Sequence, residues 1–142
     1  MPAKMTTEEV HEFLDSKPGW ITLSTIDRNG YPHSVPIGYF RLGDDVYLGC
    51  RAGTQKIKNI ERDHKVSLSL EVGRTMGDIK GVLIQGDARV HEDGDSVLRL
   101  SREAAKLRGV AEADLPAEPR PGAAYIQVTP RRIISWDYSR EG

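Results

Sequence analysis

Trp20-Ile21-Thr22-Leu23-Ser24-Thr25-Ile26, then Asp27-Arg28-Asn29-Gly30, then Tyr31-Pro32-His33-Ser34-Val35-Pro36-Ile37-Gly38-Tyr39-Phe40, is the stretch that decides the fold class. The first run is rich in β-branched and apolar residues, which suit a pleated, half-buried surface. Asn-Gly supplies the positive-φ residues that a tight hairpin needs, so the two runs pair antiparallel. Pro32 and Pro36 lack the ladder N–H. The second run therefore belongs at a sheet edge, a bulge or a strand start.

The same alternation continues on either side. Downstream, Gly43-Asp44-Asp45 is a turn and Val46 to Cys50 a third short strand. Gln55 to Arg62 reads as a helix, with Thr54 at its N-cap and Ile57 and Ile60 on one face. Val66 to Leu70 alternates cleanly, Gly73 to Asp78 is a loop, and Lys80 to Val90 is a strand with Gly81 and Gly86 as bulge or bend sites. The acids Glu92, Asp93 and Asp95 mark a helix start. The helix runs from Ser96 to Arg108, with Val97, Leu100, Ala104 and Leu107 on one side. Pro116, Pro119 and Pro121 make residues 111–122 a loop, and Ala123 to Tyr138 is extended with an interruption at Thr129-Pro130. Upstream, Thr6 and Glu9 have capping-box spacing, Val10, Phe13 and Leu14 share a face, and Lys17-Pro18-Gly19 stops the helix. The sum is about six strands and three helices. Mostly tight connections predict a mainly β protein with α: an antiparallel sheet closed into a small barrel, helices outside.

The chain has 142 residues, 38% apolar and 29% charged, with a formal net charge of −1. That length predicts a single domain over residues 1–142. One cysteine, Cys50, excludes an internal disulfide framework and a cysteine-built zinc site, and makes a reducing cytoplasm the expected compartment. The first ten residues have no apolar h-region, and no apolar run approaches the roughly 20 residues of a membrane span, so neither secretion nor membrane insertion is expected. An aromatic content of 6% and balanced charge disfavour a barrel that binds single-stranded nucleic acid.

Chemistry concentrates at one strand-to-helix junction, Gly53-Thr54-Gln55-Lys56-Ile57-Lys58-Asn59. A helix N-terminus presents unpaired N–H groups and the positive end of the macrodipole. Gly53 admits close approach, Thr54 adds a hydroxyl and Lys56 a cation; Arg51 and Lys58 could join. Together these suit an anion, and phosphate above all. The same spacing also suits a capped surface helix with solvated lysines. No Walker A loop, GxGxxG or HExxH pair is present, and His11, His33, His64 and His91 are scattered without metal-ligand spacing, so no metal is expected. His33 lies in the strand beside the possible groove. Cys50 reads as a structural thiol. No nucleophile elbow or triad stands out, the catalytic residues are not assigned, and any catalysis would fall to a cofactor.

Five segments then carry a resemblance: Leu23 to His33, Val35 to Tyr39, Gly53 to Asp63, Gln85-Gly86-Asp87-Ala88 and Val128 to Asp137. In order and spacing they resemble the pyridoxamine 5′-phosphate oxidase-like split-barrel superfamily, and within it the flavin/deazaflavin oxidoreductase branch that includes enzymes using coenzyme F420. The resemblance spans nearly the whole chain. It implies a six-stranded split β-barrel, a homodimer, and a cofactor at the subunit interface. Lys56 matches the phosphate-binding lysine, with Thr54, Gln55 and Lys58 flanking it. Ser34, Val35, Pro36 and Ile37 would run along the isoalloxazine-type ring. Trp136 stands where a family member reaches the partner's site, a place that equally suits core or dimer packing. The vitamin B6 oxidases proper carry an arginine in the second strand, and His33 to Ile37 has none. Their B6-substrate residues are not recognisable either, so pyridoxamine phosphate is not the expected substrate. The expected activity is that of an oxidoreductase with F420 or FMN, F420 slightly ahead, passing hydride to or from a small unsaturated substrate. Lys58, Arg62 and Arg131 would serve the F420 tail, and Tyr39, Ser34 or solvent the proton. The alternative is a non-catalytic FMN-binding protein for storage or sensing.

Overall fold

The structure, a computed structural model, describes residues 2–141. Its elements are β1 (Pro2–Ala3), α1 (Thr7–Asp15), β2 (Ile21–Ile26), β3 (Pro32–Ile37), β4 (Phe40–Leu42), β5 (Asp45–Arg51), α2 (Gln55–Arg62), β6 (Lys65–Val72), β7 (Lys80–His91), α3 (Gly94–Leu107) and β8 (Ala123–Glu141). All ladders are antiparallel, in the order β3-β2-β6-β7-β8-β5-β4, with β1 added to β8. The two ends of that path, β3 and β4, are consecutive in the chain and joined only by Gly38 and Tyr39. The sheet therefore rolls until its ends meet at a bend, which is a split barrel.

Eight strands replace the six expected. The run Tyr31 to Phe40 breaks at Gly38-Tyr39 because β4 leaves β2 and pairs with β5 instead. The two residues of β1 add the other strand. Gly86 lies at a register shift opposite Thr129-Pro130, so the interruption there is a bulge within one continuous strand. Gly81 shows no register shift. A Cβ on it would lie 2.7 Å from Trp136 Cζ2 and 2.8 Å from the Leu70 carbonyl, so this glycine serves packing rather than bending.

The barrel is filled by inward residues of alternate parity, among them Leu23, Leu48, Leu68, Ile84 and Ile126, all buried. Val10, Phe13 and Leu14 of α1 and Ile57 and Ile60 of α2 join the same core. The capping box forms as the sequence predicts, Thr6 Oγ1 accepting from Glu9 N and Glu9 Oε1 from Thr6 N. Asp93 caps α3 through Ser96 N. Helix α3 covers the outside of β4 and β5 with Leu100 and Ala104 against Phe40 and Tyr47. Leu107, expected on the buried side of α3, is exposed, since it lines an open cavity beside Phe40, Arg41 and Tyr125 instead of packing into the core. No described helix is long and apolar enough to cross a membrane.

Candidate functional site

Helix α2 starts after Arg51-Ala52-Gly53, where Gly53 takes a φ of +76°. Thr54 occupies the N-cap position, yet its hydroxyl caps nothing: Oγ1 donates back to the Arg51 carbonyl at 3.1 Å. The first turn of α2 holds no acid, and the side chain of its N-cap leaves the leading N–H groups untouched. Lys56 is half-buried, while Arg51, Gln55 and Lys58 are exposed. Among the described residues no carboxylate pairs with Arg51, Lys56 or Lys58. Lys56 lies close enough to Cys50 to pull that thiol's pKa down, but burial dominates and pushes it up, which disfavours the thiolate.

What fixes this junction is a buried polar chain that the sequence alone does not reveal. Asn59 has no solvent exposure. Its Nδ2 donates to Thr25 Oγ1 at 3.0 Å, and its Oδ1 accepts from Gln55 Nε2 at 2.8 Å. Arg62 donates to the Ile26 carbonyl at 3.0 Å, tying the far end of α2 to β2. Gln55 is thus half spent on positioning, and Arg62 is engaged rather than free. Arg131 pairs with Asp87 at 2.5 Å, so of the three cations expected for a cofactor tail only Lys58 is uncommitted.

Strand β3 lies at the edge, as its prolines require. Asp27 N donates to the Tyr31 carbonyl, and this sets the parity of the hairpin. The pairs Ile26–Pro32, Ser24–Ser34 and Thr22–Pro36 are then the ones without mutual hydrogen bonds. The free edge of β3 consequently presents the carbonyls of Pro32, Ser34 and Pro36 and a single donor, Ser34 N–H. Val35 and Ile37 point their side chains inward and keep their N–H groups for β2.

The register also builds an outer sheet face. Ser34, Ser24, Ser67, Gln85 and Arg132 form one row, and Pro36, Thr22, Ser69, Leu83 and Ile134 the next. Ser24 and Ser34 share a hydrogen bond of 2.8 Å. Trp136 stands on this face over Gly81 and donates its indole N–H to Glu71 Oε2 at 2.8 Å. A cleft of about 620 Å³ opens beside the first row, lined by Ser24, Pro32, Ser67, Gln85 and Arg132 among others. The sequence signal for this face was present in Ser67 and Ser69: small uncharged hydroxyls, where a solvated strand usually carries Lys or Glu.

The expected site residues thus fall into two groups, the α2 start (Arg51, Thr54, Gln55, Lys56, Lys58) and the β3 face (Ser34 to Ile37, with Trp136). None of the four main clefts of the single chain is lined by members of both. Tyr39 is unsuited to proton donation, since its buried hydroxyl donates to the Leu14 carbonyl at 2.6 Å. His33 pairs with Thr25 on the inner side of β3, and its Nδ1 is buried with no partner among the described residues. His91 is bonded to Gln127 at 2.8 Å. Among the described residues no three His, Cys, Asp or Glu side chains gather to hold a metal.

This fold, with an uncapped helix start and a proline-marked open edge strand, is that of the flavin-binding split barrels. A family profile for pyridoxamine 5′-phosphate oxidase matches residues 6–137, and the chain belongs to that family. A conserved hypothetical protein from Mycobacterium tuberculosis superposes with a TM-score of 0.80 at 25% identity, over 94% of this chain and 86% of that one. An FAD-binding protein from Mesorhizobium loti gives 0.69 at 15% identity, over 95% and 96% of the two chains. An F420 reductase gives 0.62 at 18% identity, over 86% and 94%. The latter two likenesses speak for the fold alone. No curated protein matches the sequence.

Proposed function

We propose that the protein is a homodimeric oxidoreductase that binds coenzyme F420 or FMN and passes hydride to or from a small unsaturated substrate. The observation that carries this reading is the open first turn of α2. Its N-cap hydroxyl is turned away and its cations have no described carboxylate partner, which is a phosphate-binding arrangement. Lys56 supplies the principal charge, with Thr54, Gln55, Lys58 and Arg51 around it. The free edge of β3 offers acceptor, donor–acceptor, acceptor along Pro32, Ser34 and Pro36, and such an edge suits the polar rim of a planar heterocycle. Both prolines also stop another strand from adding there. When bound, the cofactor ring supplies the hydride chemistry; the chain binds it, orients it and excludes water.

The incompleteness of the single chain supports the homodimer. The two groups of residues share none of the main clefts, and the outer rows of Ser, Thr, Leu and Ile offer a face of small and aliphatic side chains for a second copy. Trp136 stands on that face, and in this reading it reaches toward the partner's site. F420 is put slightly ahead of FMN, supported among the three expected tail cations by Lys58 alone, since Arg62 and Arg131 are engaged. Fluorescence titration of the full chain with FMN and with F420 tests the reading. Saturable binding is expected, and Lys56→Ala weakens it by about one to two powers of ten, the worth of one charge-assisted contact. Binding of neither cofactor by folded protein overturns the proposal. Binding without turnover, across reductants and acceptors, replaces it with a storage or sensing role.

A further inference from the structure

At the end of α1, Ser16 is the C-cap and Lys17 takes the position beyond it, with a φ of +51°. Glycine is the usual residue there, because a Cβ makes this conformation costly. Among the described residues Lys17 is the only one other than glycine at positive φ. Such strain persists only where other contacts enforce it, and it collects where ligands are held. Tyr39 supplies those contacts. Lys17 Nζ donates to the Tyr39 carbonyl and stands 4.9 Å from the centre of its ring. Tyr39 returns the tie through its hydroxyl, which donates to the Leu14 carbonyl at 2.6 Å. Asp15, at the end of the same helix, accepts from Arg41 of β4 at 2.9 and 2.6 Å.

These ties meet at Gly38-Tyr39, the link between β3 and β4. The β3 ladder ends at Ile37 and the β4 ladder begins at Phe40, so the Tyr39 carbonyl belongs to neither. The Tyr39 hydroxyl and Arg41 anchor side chains. The Lys17 ammonium alone of the three grips the backbone of the link, and it fixes the peptide plane after Tyr39. Gly38 has no side chain to restrain it, and a Cβ added there would meet only Trp20 Cζ3 within 4 Å, at 3.6 Å. Burial holds the Lys17 ammonium below the ordinary lysine range, with Asp15 countering and Arg108 adding to the effect. A lysine directed into water would escape that desolvation, so the contact with Tyr39 is what keeps it in.

We propose that Lys17 is a positioning residue, which locks the β3–β4 link and so holds the free edge of β3 in the shape that receives the cofactor ring. This rests on the reading of that edge given above. The Pro36 carbonyl, the last acceptor on the edge, is two residues from Gly38, so a turning link displaces it. A loose edge must also be ordered on binding, which lowers affinity.

Titration of the full chain with FMN and with F420 tests this, with Lys17→Gly and Lys17→Met beside the wild type. Lys17→Gly removes the amine together with the strain, so it is expected to melt close to the wild type. Lys17→Met keeps the strain without the tie and melts lower. Both should bind the cofactor that the wild type binds about tenfold more weakly, the cost of ordering roughly one residue. The absorption band of the bound ring should shift in both, because its polar rim meets a displaced acceptor. Lys56→Ala, which acts at the phosphate, should leave that band in place. Butylammonium can enter the cavity of about 830 Å³ that Lys17 lines, and it should restore affinity and band in Lys17→Gly. The proposal is overturned if both variants bind as the wild type does with the band unmoved, an outcome that leaves the functional reading standing. It is also overturned if Lys17→Gly loses stability and affinity together and butylammonium restores neither, since the lysine then serves the fold alone. A wild type that binds neither cofactor overturns the functional reading and this proposal with it.

Discussion

Asn59 shows at the residue scale how one buried amide positions a site it does not touch. It joins Gln55 on its own helix to Thr25 on β2, and all of Thr25 is buried as well. Asn59→Ala leaves the Thr25 hydroxyl and the Gln55 amide without that partner, and a buried unpaired group costs about 1–3 kcal/mol. Urea unfolding is expected to show a loss of that size. Cofactor affinity should fall too, because α2 loses its anchor; unchanged affinity in a destabilised variant would show that the helix start is held some other way. The sequence singles out Lys56 and Thr54 as candidates but not Asn59. A helix N-terminus is a local feature, whereas the partner of Asn59 is 34 positions away.

At the element scale, α2 was legible to its boundaries because a turn glycine, an N-cap threonine and Ile57 and Ile60 all give the same helix. The bend at Gly38-Tyr39 was not. What ends β3 there is the pairing of β4 with β5, a tertiary event that no local pattern encodes. The role of Gly81 was hidden for the same reason, since its constraint comes from Trp136 on another strand. Gly81→Ala would drive a methyl to within 3 Å of both the indole and the Leu70 carbonyl. Overpacking of this kind costs about 1–3 kcal/mol. A lowered melting temperature and a shifted Trp136 emission are expected together. A normal melting temperature would mean that the ring is free to swing away, and with it any fixed role for Trp136 at the site.

For the whole molecule, stability has a limb at each end of the pH scale. Glu9 is held below its usual range by the Thr6 N–H, Asp78 by the Thr75 N–H, Asp87 by Arg131, Asp93 by the Ser96 N–H and Asp137 by the Ser139 hydroxyl. Their folded pKa values are depressed. The stability they confer is therefore complete above the unfolded values of 4.5 and 3.8, and is lost as pH falls through the folded ones. Tyr39 works in the opposite sense. Burial first, then the charge of Asp15, raises it from 10.0 to about 12. Its contribution is full below pH 10.0 and disappears as pH rises toward 12. Thermal melts are expected to be flat from about pH 5 to 9 and to fall on both sides, with Tyr39→Phe flattening the alkaline fall alone. An alkaline limb unchanged in Tyr39→Phe would assign it elsewhere.

The proposed dimer makes the last demand on the whole molecule. Its surface must be self-complementary, because a two-fold interface sets one patch against its own copy. The outer rows meet this condition: hydroxyls and aliphatic side chains at the centre, with Asp63 and Asp87 near Lys65, Arg131 and Arg132 around the adjoining cleft. Acids and bases on one rim can cross-pair when the patch is rotated onto itself. Ser67 lies at the middle of its row, flanked by Ser24 and Gln85. Ser67→Lys places a bulky cation there in each copy, and the two ammonium groups must be buried close together across the two-fold. Since its side chain points outward and is only partly covered in the single chain, the fold itself should survive. Sedimentation equilibrium is expected to give a dimer for the wild type and a monomer for Ser67→Lys, with flavin affinity lost in step. A Ser67→Lys protein that stays dimeric and still binds cofactor would move the interface off this face. A monomeric wild type that binds flavin tightly would place the whole site within one chain.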